Sequence, residues 1–334
     1  MMEVKVPKEA LDWLLSADPW VRYLVTKYLI GEDDEKIRLE LLQDKRVEML
    51  VNEISKENWF NPTWTYLRDS KMPIYNLWVL ADMGVKYFDF KEIESAFDAI
   101  LNNMAEFGGL KYKDYVEEPL TCLHSVLLYP IVKMGYIDDR VKKAINAYFN
   151  AERFANGWMC TFRKYKGYLF KPTKDTELVK RESFLKSMAK RNLPCSYTTA
   201  NALLILTNWK GLKNENHIIS SAKMLLNLWE KRDRPYGFGI GSKFMKLRYP
   251  PIWYDIMEFL LIFSKIRQIQ KDRRVIEIIK VIIAKADKYM RFKAESIYRR
   301  WTWITGRRGE ISPWITALTL TALKRFSMVN LKIY

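Results

Sequence analysis

The chain of 334 residues is 49% hydrophobic and 14% aromatic, enough to bury a large core, and its 56 Lys and Arg against 39 Asp and Glu give a formal net charge of +17. No apolar run reaches the length of a membrane span, since even "VIEIIKVIIAKA" is broken by Glu277, Lys280 and Lys285, and no transmembrane segment is expected. Three dispersed cysteines, Cys122, Cys160 and Cys195, and two histidines, His124 and His217, argue against a disulfide framework, a cysteine-rich zinc site or a multi-histidine centre, so neither metal nor cofactor is expected.

The opening "MMEVKVPKEA" lacks the apolar core of a secretory signal, and a cytoplasmic location is expected. A polar turn, "EDDEK" at Glu32–Lys36, follows Gly31. In "IYNLWVLADMG", Ile74, Leu77, Trp78 and Ala81 recur every three or four residues, which predicts a helix that stops at Gly84. "LLYPIVKMGYIDDRVKKAINAYF" repeats the phrase: one helix stops at Gly135, and Asp138 or Asp139 caps the next. Gly84 and Gly135 are 51 residues apart, and "FGGL" at Phe107–Leu110 and "NGW" at Asn156–Trp158 echo at nearly that interval. Two helices and a glycine turn at a period of about 50 residues predict a helical-hairpin repeat.

The segment from Thr161 to Asn192 carries ten Lys and Arg against three acids, and its "FRKYKGYLFKPTK" interleaves rings with cations as an exposed loop or β-hairpin does. Two less regular copies follow, "CSYTTANALLILTNW" with "HIISSAKMLLNLWEKRDRPYGFG", and "IWYDIMEFLLIFSKI" with "RRVIEIIKVIIAKADKYMRF". "SPWITALTLTALKRF" reads as a lone closing helix with Ser312 as its N-cap and Pro313 at its first position. Strand alternation is nowhere sustained. The expectation is an all-α chain, one domain over residues 1–334 with a small basic insertion at 161–192.

Helix pairs of this length ending in "GGL" or "NGW", with "EEPLTCLHSVLLYPIVKMGYIDDRVKKAINAYF" as the clearest copy, resemble the uncharacterised relatives of the squalene cyclases and protein prenyltransferases. The resemblance implies an α/α toroid, an inner ring of helices inside an outer one. Catalytic groups of the better-known families do not carry over. The cyclases' Asp-x-Asp-Asp cluster has no counterpart, since "IDDRV" at Ile137–Val141 offers two acids at a helix start. In "LPCSYTTANALL" around Cys195, Leu193 stands where the prenyltransferase zinc site needs an Asp, and His217 follows too soon. "EDDEK" is the nearest string to the magnesium motif of terpene synthases.

Charge is divided unevenly, with 20 Lys and Arg against 26 acids in residues 1–160 (net −6) and 36 against 13 in residues 161–334 (net +23). That asymmetry points to a polyanionic partner, nucleic acid first. Scarce glutamine and abundant Lys and Glu point to a thermophile. The candidate nucleic-acid-binding groups are Arg299, Arg300, Trp301, Trp303, Arg307 and Arg308 in "RRWTWITGRRG", Arg163, Lys164, Lys166 and Lys171 in the insertion, and Lys243, Lys246 and Arg248 in "GSKFMKLRYPP". Guanidinium groups bridge phosphates and indoles stack on bases, while for the tryptophans ordinary packing stands as the alternative. The candidate catalytic groups are Lys133, a lysine in an apolar helix whose desolvation favours a nucleophilic amine, His124 on the same helix, and Asp82 beside Trp78 and Tyr75. The leading expectation is a nucleic-acid-binding protein, most plainly of DNA, acting in repair as an abasic-site lyase or glycosylase. The alternative is an isoprenoid-processing or lipid-binding protein, and a scaffold for a protein partner is a third.

Overall fold

Two kinds of helix alternate along the chain, told apart by how much of their circumference is buried. The computed structural model describes residues 2–56, 72–111, 119–151, 153–154, 156–159, 194–211, 215–231, 243–252 and 254–334. The basic insertion at 161–192, with Arg163, Lys164, Lys166 and Lys171, lies outside the described residues. After strand β1 (Met2–Val6) come α1 (Lys8–Leu15), α2 (Pro19–Leu24), which runs on as a π-helical stretch over Val25–Ile30, α3 (Glu35–Leu42) and α4 (Lys45–Lys56). Then follow α5 (Pro73–Met83), α6 (Lys91–Asn102), α7 (Thr121–Met134) and α8 (Asp139–Asn150). A two-residue hairpin, β2 (Arg153–Phe154) and β3 (Gly157–Trp158), precedes α9 (Ser196–Leu206), α10 (Glu215–Lys231), α11 (Ile256–Phe263) and α12 (Arg273–Ile283). The chain ends with the short α13 (Thr302–Thr305), α14 (Pro313–Lys324) and β4 (Val329–Ile333).

Helices α5, α7, α9, α11 and α14 are apolar nearly all round and buried nearly all round; every residue of α9 is buried. By contrast α6 buries only Ile93, Ala96, Phe97, Ile100 and Leu101, and α12 only Val275, Ile278, Ile279 and Ile282. That is the single stripe of a helix with one face in water. The buried helices pack in a closed order: α2 on α5, α5 on α7, α7 on α9, α9 on α11, α11 on α14, and α14 back on α2 and the π-helical stretch. One-stripe helices back them, α4 on α5, α8 on α7, α10 on α9 and α12 on α11.

Local chemistry sets the boundaries. Asp138 caps α8 by accepting from the Val141 N–H at 2.8 Å, and Ser312 caps α14 through Ile315 at 3.2 Å, with Pro313 in the first turn. In "EDDEK" one acid is a cap as well, since the Asp34 carboxylate takes the N–H groups of Lys36 and Ile37, while Asp33 pairs with Lys27. Helix α5 ends at Gly84 in the left-handed region (φ 104°), and a Cβ there would run into the Tyr23 ring. One departure from the sequence reading is β1, which pairs in parallel with β4 from Met2↔Val329 to Val6↔Ile333. Five-residue strands whose partner lies at the other end of the chain leave little periodicity to read. Among the described residues no helix is long and apolar enough to cross a membrane.

Candidate functional site

Helices α5, α7, α9, α11 and α14 end together, and with the π-helical stretch they surround a cavity of about 300 Å³. Leucines from four elements, Leu24, Leu204, Leu261 and Leu318, give it an apolar wall. Lys133, Lys265 and Arg325, each from the end of a different buried helix, also line it, with Lys86 and Lys210 beside them. Among the described residues, Asp82 is the one acid in that lining.

The acid is already engaged. Its Oδ1 accepts from the Tyr129 hydroxyl at 2.6 Å and its Oδ2 from the Tyr249 hydroxyl at 2.9 Å. Burial pushes its carboxyl above the ordinary range, while Lys133, the two phenols and Lys265 pull it back. Lys133 has no hydrogen bond or ion pair among the described residues. Nor is it needed as a helix cap: α7 closes through the N–H of Gly135 on Val132 at 3.2 Å and of Tyr136 on Ile131 at 3.1 Å. Burial lowers its ammonium to about 8, Asp82 opposes that change, and Arg325 and Lys86 reinforce it. Lys265 donates to the Asn208 side-chain oxygen at 2.5 Å, and burial with Lys133 and Arg325 nearby carries it well below the usual lysine range. The Arg325 guanidinium sits 5.7 Å from the centre of the Tyr28 ring, is lowered by burial, and has no ion pair among the described residues. Several desolvated cations facing one pinned carboxylate leave an excess of positive charge that an anion would neutralise.

Of the predicted catalytic residues, Lys133 and Asp82 meet here and His124 does not. The His124 imidazole is fully buried in the core, accepts the Leu110 N–H at 2.9 Å through Nδ1 and meets the Tyr148 ring edge-on; burial drives it down to about 3. It is a neutral packing and hydrogen-bonding group, away from the cavity. Both residues that do meet stand two positions before a helix-ending glycine, 51 residues apart. Lys265, Arg325, Tyr129 and Tyr249 were not anticipated. A basic residue at the end of three of the five apolar helices, in "IVKMG", "IFSKI" and "LKRF", was the signal available for the two cations.

The predicted nucleic-acid residues separate into two groups. Trp301 is 0% exposed, so it has no free face for a base. Trp303 is half-buried, edge-on to Trp20 at 5.4 Å, whose ring also carries Arg46 at 4.2 Å. Arg300 pairs with Glu53 and reaches the Asn76 side-chain oxygen at 3.1 Å, and Arg248 donates to the buried Asp255 at 3.0 Å. These groups tie segments of the chain together. Arg299, Arg307, Arg308 and Lys243 are exposed and Lys246 is half-exposed, and none has an ion pair among the described residues.

Glu258 on α11 is a further buried acid, 0% exposed, with no hydrogen-bond partner for either oxygen among the described residues. Burial, with Asp255 adding to it, holds its carboxyl well above the usual range. It lies outside the cavity lining. Comparison with protein-family models, with curated proteins and with solved structures finds no match for this chain.

Proposed function

We propose that the protein binds a small organic anion, bearing a phosphate or a carboxylate, in the cavity at the shared end of its buried helices. One observation carries this reading: Lys133 and Arg325 line an apolar-walled space without a counter-ion among the described residues, while its single acid is held by two phenols. A volume of about 300 Å³ suits a ligand of a few heavy atoms. Calorimetry with glycerol 3-phosphate, inorganic phosphate and neutral glycerol tests it. The two anions bind and glycerol does not, and Arg325→Ala weakens binding about tenfold, some 1.4 kcal/mol. Equal heats for glycerol and its phosphate would end the proposal.

The closed packing order of the buried helices, with one-stripe helices behind them, supports an α/α toroid as the architecture, formed as one domain. DNA binding remains as a second reading. The exposed Arg299, Arg307, Arg308 and Lys243 and the +23 of residues 161–334 favour it, although Trp301, Arg300 and Arg248 are committed elsewhere. An abasic-site lyase or glycosylase would further need Lys133 to reach the lesion sugar. Anisotropy with intact and abasic duplexes between roughly 50 and 200 mM salt decides it, because affinity carried by phosphates falls steeply with salt. The isoprenoid alternative draws support only for a diphosphate end, since a lining this rich in lysine is a poor wall for a polyprenyl chain.

A further inference from the structure

We infer that the cavity's ligand is a carbonyl compound as well as an anion, and that Lys133 is the amine that condenses with it, forming an iminium with an aldehyde or ketone that carries a phosphate or carboxylate. This rests on the anion-binding reading and deepens it. Three features of the geometry converge on Lys133. Lys133 lines the cavity and its Nζ is neither hydrogen-bonded nor ion-paired among the described residues, so its lone pair is not committed once a proton leaves. Arg325 and Lys265 come from the ends of α14 and α11 into the same lining, where they can hold the ligand's anionic group and turn its carbonyl toward the third cation. Burial, with the charges of Arg325 and Lys86, also favours the neutral amine against the pull of Asp82, as the lowering of Lys133 to about 8 reflects. Tyr129, whose hydroxyl Asp82 orients at 2.6 Å, belongs to the same lining and can relay protons.

The step balances without oxidant or reductant. The neutral amine of Lys133 adds to the carbonyl carbon, forming a C–N bond, and the carbonyl electron pair moves to oxygen, which takes up the proton that the ammonium released. A second proton leaves nitrogen and the hydroxyl departs as water. In sum, one ammonium and one carbonyl give one protonated imine and one water.

The test is borohydride trapping on the full chain. Glyceraldehyde 3-phosphate and pyruvate are the probes, and sodium borohydride reduces any imine to a stable secondary amine read by intact mass and peptide mapping. At probe concentrations below those that label surface lysines, one adduct is expected, on the peptide containing Lys133. Glycerol 3-phosphate, which has no carbonyl, protects it. Lys133→Arg loses the adduct while circular dichroism and glycerol 3-phosphate binding persist, and Lys265→Met slows labelling several-fold without moving its site. Should Lys133→Arg fail to fold, mapping and protection on the unmodified protein still decide. Labelling scattered over many lysines, or seated on Lys265, with glycerol 3-phosphate still bound would overturn the carbonyl inference alone. Absence of glycerol 3-phosphate binding in calorimetry would remove the cavity reading and this inference together.

Discussion

The cavity and the segment Arg299–Gly309 are both rich in cations and aromatic rings, yet the tertiary structure uses them in opposite ways. In "RRWTWITGRRG" the rings and one arginine are consumed by packing: Trp301 is buried, Trp303 meets Trp20, and Arg300 reaches Glu53 and Asn76 on α4 and α5. With the β1–β4 pairing, these contacts fasten the end of the chain to its beginning. At the cavity, cations from the ends of α7, α11 and α14 share one lining instead, and the one acid there among the described residues is occupied by phenols. A cation therefore signals a ligand by the absence of a partner in three dimensions, whatever its density along the chain.

Substitutions can break that comparison, and the largest effect belongs to packing. Trp301→Ala should lower stability by about 3–5 kcal/mol in urea unfolding, as removal of a fully buried indole does. A loss under about 1 kcal/mol would mean the ring is dispensable and the segment is free for a partner after all.

Next come two buried bases, one in the core and one in the cavity, whose pH dependence has the same sense, stability rising with pH, but in different windows. His124 has a folded-state value of about 3 against an ordinary 6.5. The unfolded chain takes up the proton first, so stability is complete above pH 6.5 and falls toward pH 3, by up to about 1.4 kcal/mol per unit. Asn at position 124 should flatten that limb of a thermal-unfolding series. Lys133, at about 8 against an ordinary 10.5, imposes a penalty below pH 8 that is relieved as pH rises toward 10.5. Lys133→Met should accordingly stabilise the protein at pH 7 by about 2 kcal/mol while abolishing trapping, the pattern of a group kept for function at the expense of stability. A destabilised Lys133→Met would instead make Lys133 a structural residue.

Smaller effects sharpen the contrast among the arginines. Arg300→Ala removes the ion pair of Glu53 and leaves that carboxylate only the Asn76 amide, which donates to it at 2.9 Å, and should lose about 1 kcal/mol. The double change Arg307→Ala, Arg308→Ala should move stability by no more than about 0.5 kcal/mol, because both side chains are exposed. Its informative readout is DNA affinity against salt: an unchanged slope would remove those two residues from any nucleic-acid surface.

Much of the helical framework was legible in the residues, because periodicity, caps and glycine stops act over a few positions. The helices ending at Gly84 and Gly135, the caps at Asp138 and Ser312, and the matching places of Asp82 and Lys133 before their glycines all follow from local rules. Partnership is another matter. Arg300 finds Glu53 across 247 positions, Tyr249 finds Asp82 across 167, and β1 finds β4 at the far end of the chain. Only the packing of the buried helices decides which cations are answered by acids and which are left facing a cavity, since charge pairing depends on distance through space and no spacing in the sequence encodes it.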